Sequence, residues 1–213
     1  MKTNDLIDRL AENLTPVSTS AAARTLALGL GCGALVSFVM MLTMFGVRRD
    51  LLFALGTESY WMKFLYTGGF ALLAFWTVER LSRPGTRAGK EAFLEALPFA
   101  GVVVLALWQW NNAPASQHMH LLMGGSHTVC PWNILALALP IFIGVLWSLS
   151  HLAPTRPVLT GAAAGLLAGA AGAWIYALHC NESAAVFVAV WYTFGIALTG
   201  LLGAFAGRLA LRW

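Results

Sequence analysis

Long apolar runs dominate this chain, and short polar segments punctuate them. Six runs have bilayer-spanning length, at roughly 25–47, 60–78, 92–110, 131–150, 158–178 and 185–207. Charge, proline or Asn/Ser clusters bound each run. The pattern predicts an all-α polytopic membrane protein: six transmembrane helices in three hairpins, with both chain ends on one side. Residues 1–24 are the longest polar stretch and form a separate tail ahead of a six-helix domain at 25–213.

Within the tail, Leu6, Ile7, Leu10 and Leu14 fall at i, i+1, i+4 and i+8, which is one apolar stripe of a short helix. Asn4 suits the N-cap, Asp5 and Asp8 favour the first turns, and Pro16 limits continuation. Asp8, Arg9 and Glu12 lie opposite the stripe. So short a helix is marginal alone and needs a surface on which to bury its stripe. Acidic residues outnumber basic ones along it, whereas bilayer-seeking helices are usually basic. Two surfaces remain open: the chain's own cytoplasmic loops, or a groove on a basic partner such as a nucleic-acid-binding regulator. No apolar core of signal-peptide length precedes Ala21, so a cleaved secretory signal is not expected.

Composition sharpens the membrane reading. Of 213 residues, 59% are hydrophobic and 10% charged, against about 25% charged in soluble domains. The mean hydropathy is +0.72. The net charge of +4 reports orientation rather than nucleic acid. With the N-terminus inside, ten basic residues fall in cytoplasmic segments, while only Arg48, Arg49 and Lys63 fall on the opposite side. That imbalance predicts an N-in, C-in topology in a cytoplasmic membrane. Tyr60, Trp61, Trp108, Trp110, Trp132, Trp191 and Tyr192 would form an outer aromatic belt.

Small residues predict close helix packing. Gly161, Gly165 and Gly169 repeat every four residues in the fifth run, and Gly203 with Gly207 does so in the sixth. Packing within the bundle and a homodimer seam both fit this spacing. No ionisable residue sits near the centre of any span, which weighs against a pump or permease. CxxC, HExxH, GxSxG and P-loop patterns are absent, so no catalytic reading arises and no resident cofactor is required.

Chemistry concentrates at the outer side. Four of the five histidines, His118, His120, His127 and His179, belong there with Cys130 and Cys180. Spans four and five form a hairpin, which returns the two cysteines, about 50 residues apart in sequence, to one membrane level. Thiolate and thioether ligands suit copper(I), and thiolate with imidazole suits zinc or cadmium. Two nearby thiols outside the cytosol can also oxidise to a disulfide. Three readings of the cysteines stay open: a metal- or redox-responsive pair, a static disulfide, and two inert buried thiols. A polar loop with no ligand role fits the histidines equally well.

Several of these features resemble the NrsF-like family, the six-span anti-sigma factors named for negative regulation of sigma F. The residues carrying the resemblance are Met1-Lys2-Thr3, Asp5-Leu6-Ile7, Pro16-Val17, Cys130-Pro131 and the Ala153–Pro157 turn, with Tyr176–Glu182 and Trp191-Tyr192. The pairing of Cys-Pro with a later His-Cys-x-Glu is the most specific of them. The resemblance implies a bacterial inner-membrane protein whose tail sequesters an extracytoplasmic-function sigma factor. Asp5, Leu6, Ile7, Leu10 and Leu14 would then lie at that contact. It further implies that Cys130 and Cys180 sense heavy metal or oxidative stress. The competing expectations are a small-molecule or metal permease, and a structural membrane subunit with a static disulfide.

Overall fold

A computed structural model of the chain describes residues 20–86 and 89–211, and it is helical throughout, with no strand among those residues. The tail residues Asp5, Leu6, Ile7, Leu10 and Leu14 lie outside the described residues. Six long helices form the bundle: α1 (Ala21–Met40), α2 (Glu58–Leu81), α3 (Ala96–Asn112), α4 (Cys130–Ser150), α5 (Pro157–Tyr176) and α6 (Thr193–Ala210). Wide π turns extend two of them, Met41–Phe45 after α1 and Val188–Tyr192 before α6.

Among the described residues, four segments are long and apolar enough to cross a membrane: Ala21–Phe45, Cys130–Ser150, Pro157–Tyr176 and Ala185–Ala210. The other two long helices differ for identifiable reasons. Helix α2 has 24 residues but carries Glu58, Lys63, Glu79 and Arg80, and α3 has 17 residues. Leu28, Leu35, Trp108, Ile143, Leu201 and Phe205 all point outward from the bundle. An exterior of this kind suits acyl chains better than water.

Helix α5 is the structural centre. Its sequence, PVLTGAAAGLLAGAAGAWIY, is apolar on every face, so no side of it prefers solvent. Gly161, Gly165 and Gly169 face α6 of the same chain, whose Gly203 and Gly207 return the contact. A Cβ on Gly165 would meet the backbone of Thr199 and Gly200, and a Cβ on Gly172 would lie 2.9 Å from the Ala138 nitrogen of α4. Backbones therefore touch almost directly, gaining dispersion contacts that bulkier residues would prevent.

A second close crossing joins α1 to α4. Gly33 lies where a Cβ would come within 2.6 Å of Ile141 Cα. The Ser37 hydroxyl donates to the Leu137 carbonyl at 2.5 Å, and the Ser148 hydroxyl to the Thr25 carbonyl at 2.8 Å. Pro140 is interior to α4 at this crossing, whereas Pro98 falls in the first turn of α3, where its missing N–H breaks no helical bond. The segment between α3 and α4 contains a short helix, His118–Met123, which carries the His-Met-His run.

Candidate functional site

The ends of α4 and α5 bring Cys130 and Cys180 together. Cys130 opens α4: its N–H bonds the Ser126 carbonyl at 2.8 Å, and Pro131 follows where no N–H is needed. At the far end, α5 closes in a tight turn, with the His179 and Cys180 N–H groups both donating to the Tyr176 carbonyl. Both cysteines are buried free thiols, 0% and 3% exposed. Both belong to one buried cluster, and the two thiols are close enough to shift each other's ionisation.

Three neighbouring segments grip the Cys180 turn. From the α1–α2 connection, the Arg48 guanidinium donates to the Cys180 carbonyl at 3.3 Å and the Arg48 N–H to the Leu178 carbonyl at 3.1 Å. His179 Nδ1 pairs with the Gly46 carbonyl at 2.9 Å. From α2, the Lys63 ammonium donates to the carbonyls of Cys180 and Glu182, both at 2.8 Å. From the turn before α4, the Gly125 N–H and Ser126 hydroxyl donate to Glu182 Oε1 at 2.8 and 3.1 Å. Gly124 permits that last contact. Its φ is +53°, and a Cβ there would sit 2.5 Å from Glu182 Oε2.

The electrostatics distinguish the two thiols. Cys180, in the connection between α5 and α6, has its pKa lowered below that of an ordinary thiol. The neighbouring Cys130 thiol contributes most, burial opposes it, and the nearby Lys63 charge adds to the lowering. The Tyr192 hydroxyl is buried beside Cys180 without a well-formed hydrogen bond, and its ring centroid lies 5.7 Å from Lys63 Nζ. Outside the helices, Arg48 forms a two-point pair with Asp50 at 2.8 and 2.7 Å, which lowers the Asp50 pKa to about 2.

The histidines are placed differently. His118 stacks on Trp110, with centroids 4.1 Å apart, and its Nε2 meets the Trp110 and Ala113 carbonyls. His120 is exposed on the short helix. His127 packs against Trp191, and its Nδ1 is buried without a partner. His179 is adjacent to Cys180 in sequence but packs among Phe45 and Tyr176. Among the described residues, no three His, Cys, Asp or Glu side chains are grouped to hold a metal ion.

Sequence reasoning counted Lys63 only as an outer positive charge and passed over Arg48 and Glu182 as site residues. One signal was available for Lys63. A lysine flanked by Tyr60, Trp61, Met62, Phe64 and Leu65 must find buried acceptors or distort its helix.

Fold and site together define an all-helical bundle of membrane type, built around a buried dithiol. Residues 10–213 match the family model described as negative regulator of sigma F, NrsF. The chain is 39% identical over 214 residues to the anti-sigma-F factor NrsF of Caulobacter vibrioides, and the alignment covers all of both chains. It is 38% identical over 213 residues to the probable anti-sigma-F factor NrsF of Azospira oryzae, again over the whole of both. The chain belongs to the NrsF family of negative regulators of sigma F. No solved structure gives a significant match.

Proposed function

We propose that this chain is a membrane anti-sigma factor with a regulatory rather than catalytic role, and that Cys130 and Cys180 are its switch. Family membership and the names of the two relatives support the anti-sigma role. In this reading the chain spans a bacterial cytoplasmic membrane six times with both ends inside, as the ten-to-three distribution of basic residues favours. Residues 1–24 hold an extracytoplasmic-function sigma factor through the stripe of Leu6, Ile7, Leu10 and Leu14 beside Asp5. The cysteines lie at the outer face.

The observation that carries the switch is the meeting of two buried free thiols at the ends of neighbouring helices. Disulfide formation removes two electrons from the two sulfurs, together with whatever protons they still carry, the electrons passing to an oxidant. The surroundings favour oxidation over capture of a thiophilic cation such as copper, zinc or cadmium. The Lys63 ammonium donates to the carbonyl of Cys180 itself, and no third His, Cys, Asp or Glu side chain is grouped with the sulfurs among the described residues. A change in bundle packing worth about 1–3 kcal/mol would alter sigma-factor affinity by about 5–150-fold.

The test replaces both cysteines with serine and follows sigma-dependent transcription under a thiol oxidant and, separately, under cadmium. Loss of induction by the oxidant is expected. Normal induction by both agents refutes the switch, and loss confined to cadmium reassigns the signal to metal. A pull-down with a peptide of residues 1–24 tests the tail. Recovery of a sigma factor, lost on Leu6→Asp or Leu10→Asp, is the expected result.

A further inference from the structure

Lys63 is an ionisable side chain only 1% exposed, set in an apolar stretch of α2. A cation so placed is costly unless acceptors surround it. Its two oxygen acceptors are both on the short segment that carries Cys180, namely the carbonyls of Cys180 and Glu182. That segment has little internal support, because residues 181–184 adopt no regular structure between α5 and the helical turn at Ala185. The contacts then continue toward the other thiol. Glu182 receives Gly125 N–H and the Ser126 hydroxyl, and the Ser126 carbonyl receives Cys130 N–H. An unbroken series of hydrogen bonds, none longer than 3.1 Å, thus runs from the Lys63 ammonium to the backbone of Cys130.

We infer that Lys63 is a positioning residue of the dithiol: its ammonium holds the Cys180–Glu182 segment where the Cys180 sulfur meets that of Cys130. Arg48 donates to the same carbonyl but at 3.3 Å, and part of its guanidinium is committed to Asp50. The side chain of Lys63 is the link from α2, and Glu182 is the link to α4. Together they convert a loop cysteine into one member of a fixed pair.

The inference rests on the dithiol reading above, yet its test uses thiol chemistry alone, so either can fail without the other. The full chain is purified in detergent in a Cys32→Ala background, reduced, and treated with dibromobimane. Each thiol displaces one bromide, and intact mass separates bridged from singly alkylated protein. The ratio of the two products reports juxtaposition and cancels a uniform change in thiol reactivity. Lys63→Met is expected to lower that ratio at least about 10-fold, since misplacement by about 1 Å costs a proximity reaction heavily. Lys63→Arg, which retains charge and donors, should restore it to within about 3-fold of the parent. A Lys63→Met ratio equal to the parent's in folded protein overturns the inference. Where Lys63→Met does not elute as a single species, Lys63→Gln carries the test, because it keeps a polar side chain in the buried site but lacks the charge and the length to reach the carbonyls of Cys180 and Glu182. Bridging by Lys63→Gln at the parental ratio overturns the inference as well.

Discussion

Replacing Gly165 with alanine should destabilise the bundle, although alanine is the better helix former. A Cβ at position 165 meets only backbone: the Thr199 carbonyl, with its carbon at 2.9 Å, and Gly200 Cα at 3.0 Å. Comfortable carbon–carbon contact needs about 3.5–4.0 Å, so α5 and α6 must part by about 0.5–1 Å along this seam. Backbone cannot rotate away as a side chain would. Overpacking of this kind costs about 1–3 kcal/mol, while the gain in helix propensity returns about 1 kcal/mol. Gly31 is the internal control, since a Cβ there meets nothing within 4 Å. Gly31→Ala should therefore be neutral or more stable by up to about 1 kcal/mol. The two single-methyl substitutions should differ by about 1–3 kcal/mol in reversible unfolding, read by far-ultraviolet circular dichroism in mixed micelles. Equal stability within about 0.5 kcal/mol, the usual scatter of neutral substitutions, would refute the steric reasoning.

Three further outcomes follow from named contacts. Ser37→Ala removes a buried hydroxyl bond to the Leu137 carbonyl and should cost about 1 kcal/mol in the same unfolding assay. Because the Cys130 thiol and Lys63 lower the Cys180 pKa, its thiolate persists to lower pH than an ordinary thiol's and is lost as pH falls through the lowered value. Alkylation of the Cys180 peptide by iodoacetamide should accordingly be half-maximal well below pH 9, and Cys130→Ala should move that midpoint upward by removing the neighbouring thiol. Asp50, held near pKa 2 by Arg48, contributes fully above its ordinary value of 3.8 and loses that contribution as pH falls through about 2. Asp50→Asn should therefore speed hydrogen exchange at the Arg48 amide at pH 4–7, with the difference from the parent shrinking toward pH 2.

The helices were legible because each has to present an apolar surface over many residues, and such surfaces are written in composition. Their ends were legible within a few residues wherever Pro131, Pro157 or a charged cluster punctuates the chain. Less visible were features that depend on one contact across the bundle. The π turns at Met41–Phe45 and Val188–Tyr192 insert a residue without altering local hydrophobicity, so no periodicity announces them. The His118–Met123 helix lies in a stretch read as loop, and it is held from outside, since Trp191 Nε1 donates to the Leu122 carbonyl at 2.8 Å. At the site, hairpin topology alone puts Cys130 and Cys180 at one membrane level. Lys63 and Glu182 could not be placed that way, because their importance lies in the carbonyls and amides they find across 57 to 119 residues of chain.

The glycine seam has a mechanical consequence. Where backbone lies against backbone every four residues, α5 cannot slide smoothly along α6, since any fractional shift drives a Cβ into the neighbouring main chain. The next position that fits is a full repeat away, about 6 Å at 1.5 Å per residue. The pair therefore works as a detent: it moves as one body or jumps by a whole notch. A chemical event at the end of α5 would meet a partner that resists small adjustments, and the response to it would be stepwise rather than graded.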